Sequence, residues 1–256
     1  MKMGLDQSVV VITGAASGIG LAVARAAVAE GVGGLVLTDR DGPGLDRATG
    51  LDGADILRVV ADLADPEAAT TISRAAIDRF GRIDGLVNAA GLTTRGSFTT
   101  GTVEVWDQLF AVNARAGFLL MQAAIADMQR RGKAGSIVNI LSMNAYCGIP
   151  ELAIYAGTKG AMATLTRNAA HAHMAEGIRV NGINLGWVAT EGERRMQAEV
   201  MGRGPAWLAA AEAAMPLGRL VTAEEAARLA VFLLGAASVP MSGAVVDFEQ
   251  KVAGAI

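Results

Sequence analysis

Tyr155 and Lys159 stand four residues apart in Y-A-G-T-K, in a chain with two tyrosines (Tyr146 and Tyr155) and four lysines (Lys2, Lys133, Lys159 and Lys251). On a helix that spacing sets both side chains on one face, within reach of each other. An ammonium beside a phenol favours the phenolate and lowers the phenol's pKa. A phenol tuned in this way can pass a proton to or from a substrate oxygen. The same spacing equally describes a tyrosine buried at a helix start beside a solvated lysine, so the pair needs further residues before it means chemistry.

The second group is near the N-terminus. Residues 13–20, T-G-A-A-S-G-I-G, join an apolar run to an alanine-rich one. Gly14, Gly18 and Gly20 are spaced more widely than in the commonest dinucleotide fingerprint. They meet the same need, which is a tight turn, close backbone approach to a pyrophosphate, and a helix N-terminus with free N–H groups. Asp39 closes the next apolar run, 19 residues beyond Gly20. A carboxylate there can hydrogen-bond the adenine-ribose hydroxyls and repel a 2′-phosphate. Arg40 beside it can pair with such a phosphate. No basic residue interrupts Ala15–Ser17, which tilts the expectation to NAD over NADP.

These groups need a frame. Short apolar runs predict strands at Val9–Thr13, Leu35–Thr38, Ile56–Ala61, Gly85–Asn88, Ser136–Leu141, Arg179–Asn184 and Ala244–Phe248, each buried on both faces. Helices are expected between them at Gly18–Glu30, Pro66–Phe80, Val103–Arg131, Ala153–Glu176 and Ala223–Leu234. Pro66 after Asp65 reads as a capped first turn, and Thr222 with Glu225 as a capping box. Gly31, Gly81, Gly132, Gly177 and Gly235 follow helical segments, where left-handed C-caps belong. Strands alternating with helices predict an α/β fold with a doubly wound parallel sheet. Residues 188–220 are long for a connection and read as a partly helical lid or a surface excursion.

Composition narrows the class. The apolar share of 52% supports a sizeable core, and the net charge of −3 offers nothing to nucleic acid or an anionic membrane. No uninterrupted apolar stretch of spanning length appears. The one cysteine, Cys147, excludes an internal disulfide. Without a signal-peptide pattern, a cytoplasmic location is the expectation. Two histidines, His171 and His173, with no acidic constellation give a metal little support.

The motifs together resemble the short-chain dehydrogenase/reductase family over essentially the full length. The matching pieces are T-G-A-A-S-G-I-G at 13–20, A-D-L at 61–63, N-A-A-G at 88–91, V-N-A at 112–114, Ser142 after a strand, Y-A-G-T-K at 155–159 and I-N-L-G-W-V-A-T at 183–190. The resemblance implies one NAD(P)-binding Rossmann domain over residues 1–256, with a seven-stranded sheet, helices on both faces and the lid at about 188–220. It implies a catalytic tetrad of Asn113, Ser142, Tyr155 and Lys159. Asn113 would sit at a backbone irregularity that holds a water in a proton relay. The implied cofactor residues are Gly14, Ser17, Gly18, Ile19, Gly20, Asp39, Arg40, Asp62, Leu63, Asn88, Ala89, Gly91, Gly186, Val188 and Thr190, together with Tyr155 and Lys159. Two departures stand out: Ala89 replaces a usual asparagine, and Leu185 replaces a usual proline. The family generally forms homotetramers or homodimers through its two long helices.

Around the tetrad, Asn144, Cys147, Glu151, Arg95 and Trp187 are expected to join Ser142 and Tyr155 in binding substrate, with Tyr146, Gly148, Thr93 and Thr94 close by. That set is polar, which predicts a sugar, polyol or sugar acid. The V-V-D-F-E-Q close also looks like that of members tied to carbohydrate catabolism. An inward Arg95, Arg194 or Arg195 would point to a substrate carboxylate. The alternatives are an NADPH-dependent 3-oxoacyl reductase and a non-catalytic dinucleotide-binding sensor or structural subunit.

Overall fold

The computed structural model describes residues 3–204 and 206–253. Its strands are β1 (Val9–Thr13), β2 (Gly34–Asp39), β3 (Asp55–Val60), β4 (Gly85–Asn88), β5 (Gly135–Ser142), β6 (Ile178–Leu185) and β7 (Val245–Phe248). All pair in parallel in the order β3-β2-β1-β4-β5-β6-β7. The winding reverses between β1 and β4, where ligands lie beyond the strand ends in open α/β sheets.

Successive β1 residues serve opposite faces. Val10 and Ile12 pack with helices α1 (Gly18–Ala29) and α9 (Ala223–Leu234). Val11 packs on the other side with α3 (Ala68–Phe80), α5 (Ala116–Arg131) and α6 (Ala153–His173). The central strands β1, β4 and β6 are buried throughout, and β5 is buried from Ser136 on. The two edges differ from expectation, since β3 and β7 are only half covered. An edge strand lacks a neighbour on one side, which leaves part of it open to solvent.

Helix ends follow local chemistry. Gly31, Gly81, Gly132 and Gly177 have positive φ, while Gly235 is extended. Asp65 does not cap α3; its carboxylate holds the Glu67 N–H in a turn, and the helix begins at Ala68. Thr222 and Glu225 do form the complete capping box of α9. One short helix, α2 (Gly42–Asp46), falls outside the expected set, and two more, α7 (Glu191–Arg195) and α8 (Trp207–Ala213), lie in the 188–220 segment read as partly helical.

The expected long helix at Val103–Arg131 is α4 (Val103–Phe110) joined to α5 through a π-helical turn at Ala111–Arg115. By length and mean hydropathy this run could cross a membrane, but 56% of its most apolar window is buried inside the fold. That is the pattern of a core helix packed on a sheet.

Candidate active site

At the C-terminal end of the sheet, two cavities of about 410 and 530 Å³ share Ile19, Arg40, Ala89, Gly91, Leu92, Thr190, Gly192 and Arg195, and so form one cleft. The smaller is lined by the glycine turn. Gly14 has φ +67°, and a Cβ there would meet the Ala90 backbone at 2.9 Å. A Cβ on Gly20 would strike the Gly14 carbonyl. Both positions therefore demand glycine. The turn delivers the α1 N-terminus to the cavity, and its N-cap Ser17 makes no side-chain cap bond. Free N–H groups and the positive end of the helix dipole suit a pyrophosphate.

The adenosine end of this cavity is acidic. Asp39, Asp41 and Asp62 line it with Leu63, facing Arg40. Asp39 accepts from the N–H groups of Ala16 (3.2 Å) and Asp41 (3.1 Å), which ties the end of β2 to the glycine turn. Asp62 accepts from Ala64 at 2.9 Å. The cradle fits a dinucleotide, with a tight turn, an open helix end and carboxylates that could accept ribose hydroxyls.

Asn88 lies deeper. Its Nδ2 donates to Asn139 Oδ1 at 2.8 Å and joins β4 to β5, while its own Oδ1 is buried without a partner. Thr13 Oγ1 accepts from both the Ala89 and Ala90 N–H groups at 3.0 Å. Ala89 has a methyl where the family's second asparagine would be, and the backbone is held from Thr13 instead.

The larger cavity holds Ser142, Tyr155 and Lys159. Ser142 ends β5, and Tyr155 and Lys159 stand one turn apart at the start of α6. Lys159 Nζ donates to the Ile140 carbonyl at 2.8 Å and lies 5.8 Å from the Tyr155 ring centre. Burial lowers its pKa from 10.5 to about 8. Burial raises that of Tyr155, the Glu193 charge adds to the rise, and the Ser142 hydroxyl opposes it. The expectation that Lys159 lowers the phenol's pKa is corrected here, because desolvation dominates both groups.

Ser142 Oγ accepts from Asn144 N (3.2 Å) and Asn144 Nδ2 (3.1 Å). A hydroxyl has two lone pairs and one proton. With both lone pairs engaged, that proton is left to point into the cavity. Asn113 lies in the π-helical turn, at the irregularity expected of it. Its side chain clamps Leu92 at both backbone groups, accepting at 2.8 Å and donating at 2.9 Å, and donates to Thr158 at 3.2 Å. Asn113 thus fixes the Gly91–Leu92 wall and stands behind the cavity, not in it.

The roof comes from residues after β6. Gly186, Trp187, Val188, Thr190, Glu193, Arg195 and Met196 line the larger cavity. A side chain at Gly186 would collide with the Glu249 carboxylate, so the divergent C-terminal residues pack directly under this loop. Leu185, in the place of proline, is buried and lines the cavity. Trp187 lies tilted against Trp207, ring centres 5.9 Å apart, at the head of a small cluster with Ala211 and Leu220.

Several expected substrate residues do not line the cavity. Asn144 turns its amide onto Ser142. Cys147 and Glu151 are exposed, and Tyr146 reaches out to Asp247 at 3.0 Å. Arg95 folds onto the Thr93 carbonyl at 3.1 Å. After the short turn at Met143–Ala145, Tyr146 and Cys147 are exposed. Arg195 is the one inward arginine of the three expected candidates. Gln108, Glu193 and Met196 were missed as lining residues. Thr190-x-x-Glu193 carries the sequence signal of a helix start, which would have placed Glu193 beside the nicotinamide loop.

The family model described as enoyl-(acyl carrier protein) reductase matches residues 14–249. The chain belongs to the short-chain dehydrogenase/reductase family. It is accordingly an NAD(P)-dependent oxidoreductase acting on CH–OH groups. It is 38% identical over 226 residues to the inactive 2-(S)-hydroxypropyl-CoM dehydrogenase 2 of Xanthobacter autotrophicus, covering 87% of this chain and 96% of that one. It is 36% identical over 248 residues to galactitol 2-dehydrogenase (L-tagatose-forming) of Cereibacter sphaeroides, covering 96% and 94%. L-sorbose reductase of Gluconobacter frateurii, solved with NADPH and L-sorbose, superposes with a TM-score of 0.93 at 28% identity over 100% of both chains. No group of metal-ligating side chains occurs among the described residues.

Proposed function

We propose that the chain is an NAD-dependent dehydrogenase for a secondary alcohol of a small polyhydroxylated substrate: a sugar, polyol or sugar acid. The observation that carries this reading is the larger cavity. Thr93, Thr94, Gln108, Glu193 and Trp187 surround Ser142 and Tyr155 there with hydrogen-bonding groups. An acyl chain would leave Thr93, Thr94, Gln108 and the second Glu193 carboxylate oxygen unpaired, at a cost for each, while the Trp187 N–H is already taken by Glu193. The galactitol dehydrogenase and L-sorbose reductase relatives support the same class. The hydroxypropyl-CoM relative is called inactive, but here Ser142, Tyr155 and Lys159 surround one cavity.

The nicotinamide, when bound, gives or takes the hydride. The residues of this chain do the rest. Ser142 donates to the substrate oxygen and opposes charge growing on it. Tyr155 passes the proton to or from that oxygen. Lys159 has donors to spare beyond Ile140 for the nicotinamide ribose, and Thr190 can reach the carboxamide. Three carboxylates at the adenosine end favour NAD, because they would repel a 2′-phosphate. Arg40 in the cavity lining and Arg47, 4.0 Å from Asp41, supply opposing charge at that end. For assembly, a groove of about 280 Å³ between α5 and α6, with Phe118, Met121, Ile125 and Leu165, offers an apolar face for a symmetric contact.

The test is a panel of sugars, polyols and hydroxy acids with NAD and NADP at alkaline pH, following reduced cofactor. Turnover of polyhydroxylated compounds with NAD is the expected result. Preference for NADP would overturn the Asp39 argument, and reduction of acyl thioesters alone would overturn the substrate class.

A further inference from the structure

Thr-x-x-Glu occurs twice in this chain as a helix start, at 190–193 and at 222–225, with different outcomes. At the second, Glu225 reaches back to the Thr222 N–H at 2.9 Å and closes the capping box. At the first, Thr190 Oγ1 accepts from the Glu193 N–H at 3.2 Å, but the Glu193 carboxylate does not return the bond. The Thr190 N–H is held by the Val188 carbonyl at 2.9 Å instead.

The Glu193 carboxylate is held elsewhere. One oxygen, Oε1, accepts from Trp187 Nε1 at 2.7 Å and from Gln197 Nε2 at 2.6 Å. Gln197 is 3% exposed, and its own Oε1 is buried with no partner. Turning that amide over would face oxygen against carboxylate, so Gln197 is placed for its donor although this leaves its acceptor unpaired. No hydrogen bond from the described residues reaches the second oxygen, Oε2. Glu193 lines the cavity that holds Ser142 and Tyr155, and its charge is felt at the Tyr155 phenol.

We propose that Glu193 selects the substrate by charge: its free carboxylate oxygen accepts hydroxyls of a neutral polyhydroxylated substrate and disfavours one bearing a carboxylate, sulfonate or phosphate. This rests on the polyhydroxylated reading above and narrows it from sugar acids to neutral sugars and polyols. A carboxylate is acceptor-only, and hydroxyl-to-carboxylate bonds are among the stronger neutral–charged pairs. Arg195 is the counterweight. It lines both cavities, whereas Glu193 lines the substrate cavity alone.

The experiment compares Glu193→Gln with the parent enzyme on a neutral polyol and on the aldonate of the same chain length, with cofactor affinity measured in parallel. Glutamine keeps an acceptor for Trp187 and removes the charge. The kcat/KM for the polyol is expected to fall on the order of 10- to 100-fold, mainly through KM. That for the aldonate is expected to rise, with cofactor affinity unchanged. A second variant, Gln197→Met, removes a donor without touching the cavity. It should weaken polyol turnover less and keep the preference for the neutral compound. Parent enzyme that prefers the aldonate would show Arg195 to prevail and overturn the proposal. So would an unchanged ratio in Glu193→Gln, while the polyhydroxylated reading survived. Absence of turnover on any polyhydroxylated compound would remove both.

Discussion

The floor and the roof of the larger cavity are built on different terms. The floor is Ser142 on the last residue of β5, with Tyr155 and Lys159 on the first turns of α6, all buried and backed by the sheet. The roof is the segment after β6, two short helices around Trp187 and Trp207 with their own small cluster. Floor residues owe their positions to regular elements with many neighbours. Roof residues owe theirs to a single bridge between Val188 and Val221, the small cluster around Trp207 and the side-chain bonds converging on Glu193. A stiff floor suits proton transfer, which needs fixed distances. A roof with its own small cluster, outside the sheet, suits discrimination, since its polar groups can change without disturbing the fold.

The largest effect should come from the floor. Tyr155→Phe is expected to cost about 10²- to 10⁴-fold in kcat on every substrate, with cofactor affinity retained, as steady-state rates beside a binding titration would show. Retained turnover would remove the proposed proton carrier.

Lys159→Met sharpens the contrast by separating activity from stability. Turnover should fall on the order of 10²-fold. The folded chain should become more stable at neutral pH, because a buried ammonium is removed. The sign follows from the lowered pKa. Between about 8 and 10.5 the unfolded chain binds the Lys159 proton and the folded chain does not, so stability rises with pH across that window. At about 1.4 kcal/mol per unit, the gain is at most about 3 kcal/mol, less the lost bond to Ile140. Denaturant melts at pH 7 and pH 10 would check both; a parent protein with no rise in stability over that window would contradict the buried charge.

Asn144→Ala tests whether the floor needs its support. Ser142 would lose a side-chain donor that orients it, and kcat should drop about tenfold with KM nearly constant. A change in KM alone would instead make Asn144 a substrate contact, as first expected.

The smallest effect lies outside the site. Glu225→Ala opens the capping box of α9 and breaks the exposed pair with Arg219. It should cost about 1 kcal/mol of stability and leave kcat/KM unchanged. The Glu225 carboxyl, held down to about 2 by Arg219 and the Thr222 N–H, keeps this contribution above its ordinary value of 4.5 and loses it as pH falls toward 2. A loss of activity in this variant would blur the difference drawn between the two Thr-x-x-Glu segments.

The floor was legible in the sequence because spacing and secondary structure constrain each other there. The Tyr155–Lys159 interval is one helical turn, the glycines before α1 follow a buried strand, and Asp39 ends the next. Asn113 was legible as an irregularity, and a π-helical turn occupies its position. The residues that follow Ser142 were read as pocket wall from proximity along the chain. Tyr146, Cys147 and Glu151 are exposed, and proximity in sequence does not fix direction. The roof was visible as an overlong, partly helical connection without the bounds of its helices. Its helices are too short to show periodicity, and the turn of Glu193 away from its cap depends on Trp187 and Gln197 in three dimensions.

The division of labour between floor and roof is tested most directly by one matrix of kcat/KM values. It sets the parent enzyme, Tyr155→Phe and Glu193→Gln against a neutral polyol and its aldonate, with NAD. The account predicts that Tyr155→Phe lowers both columns by the same factor, and that Glu193→Gln changes their ratio. A Tyr155→Phe enzyme with an altered ratio, or a Glu193→Gln enzyme with both columns equally reduced, would contradict it.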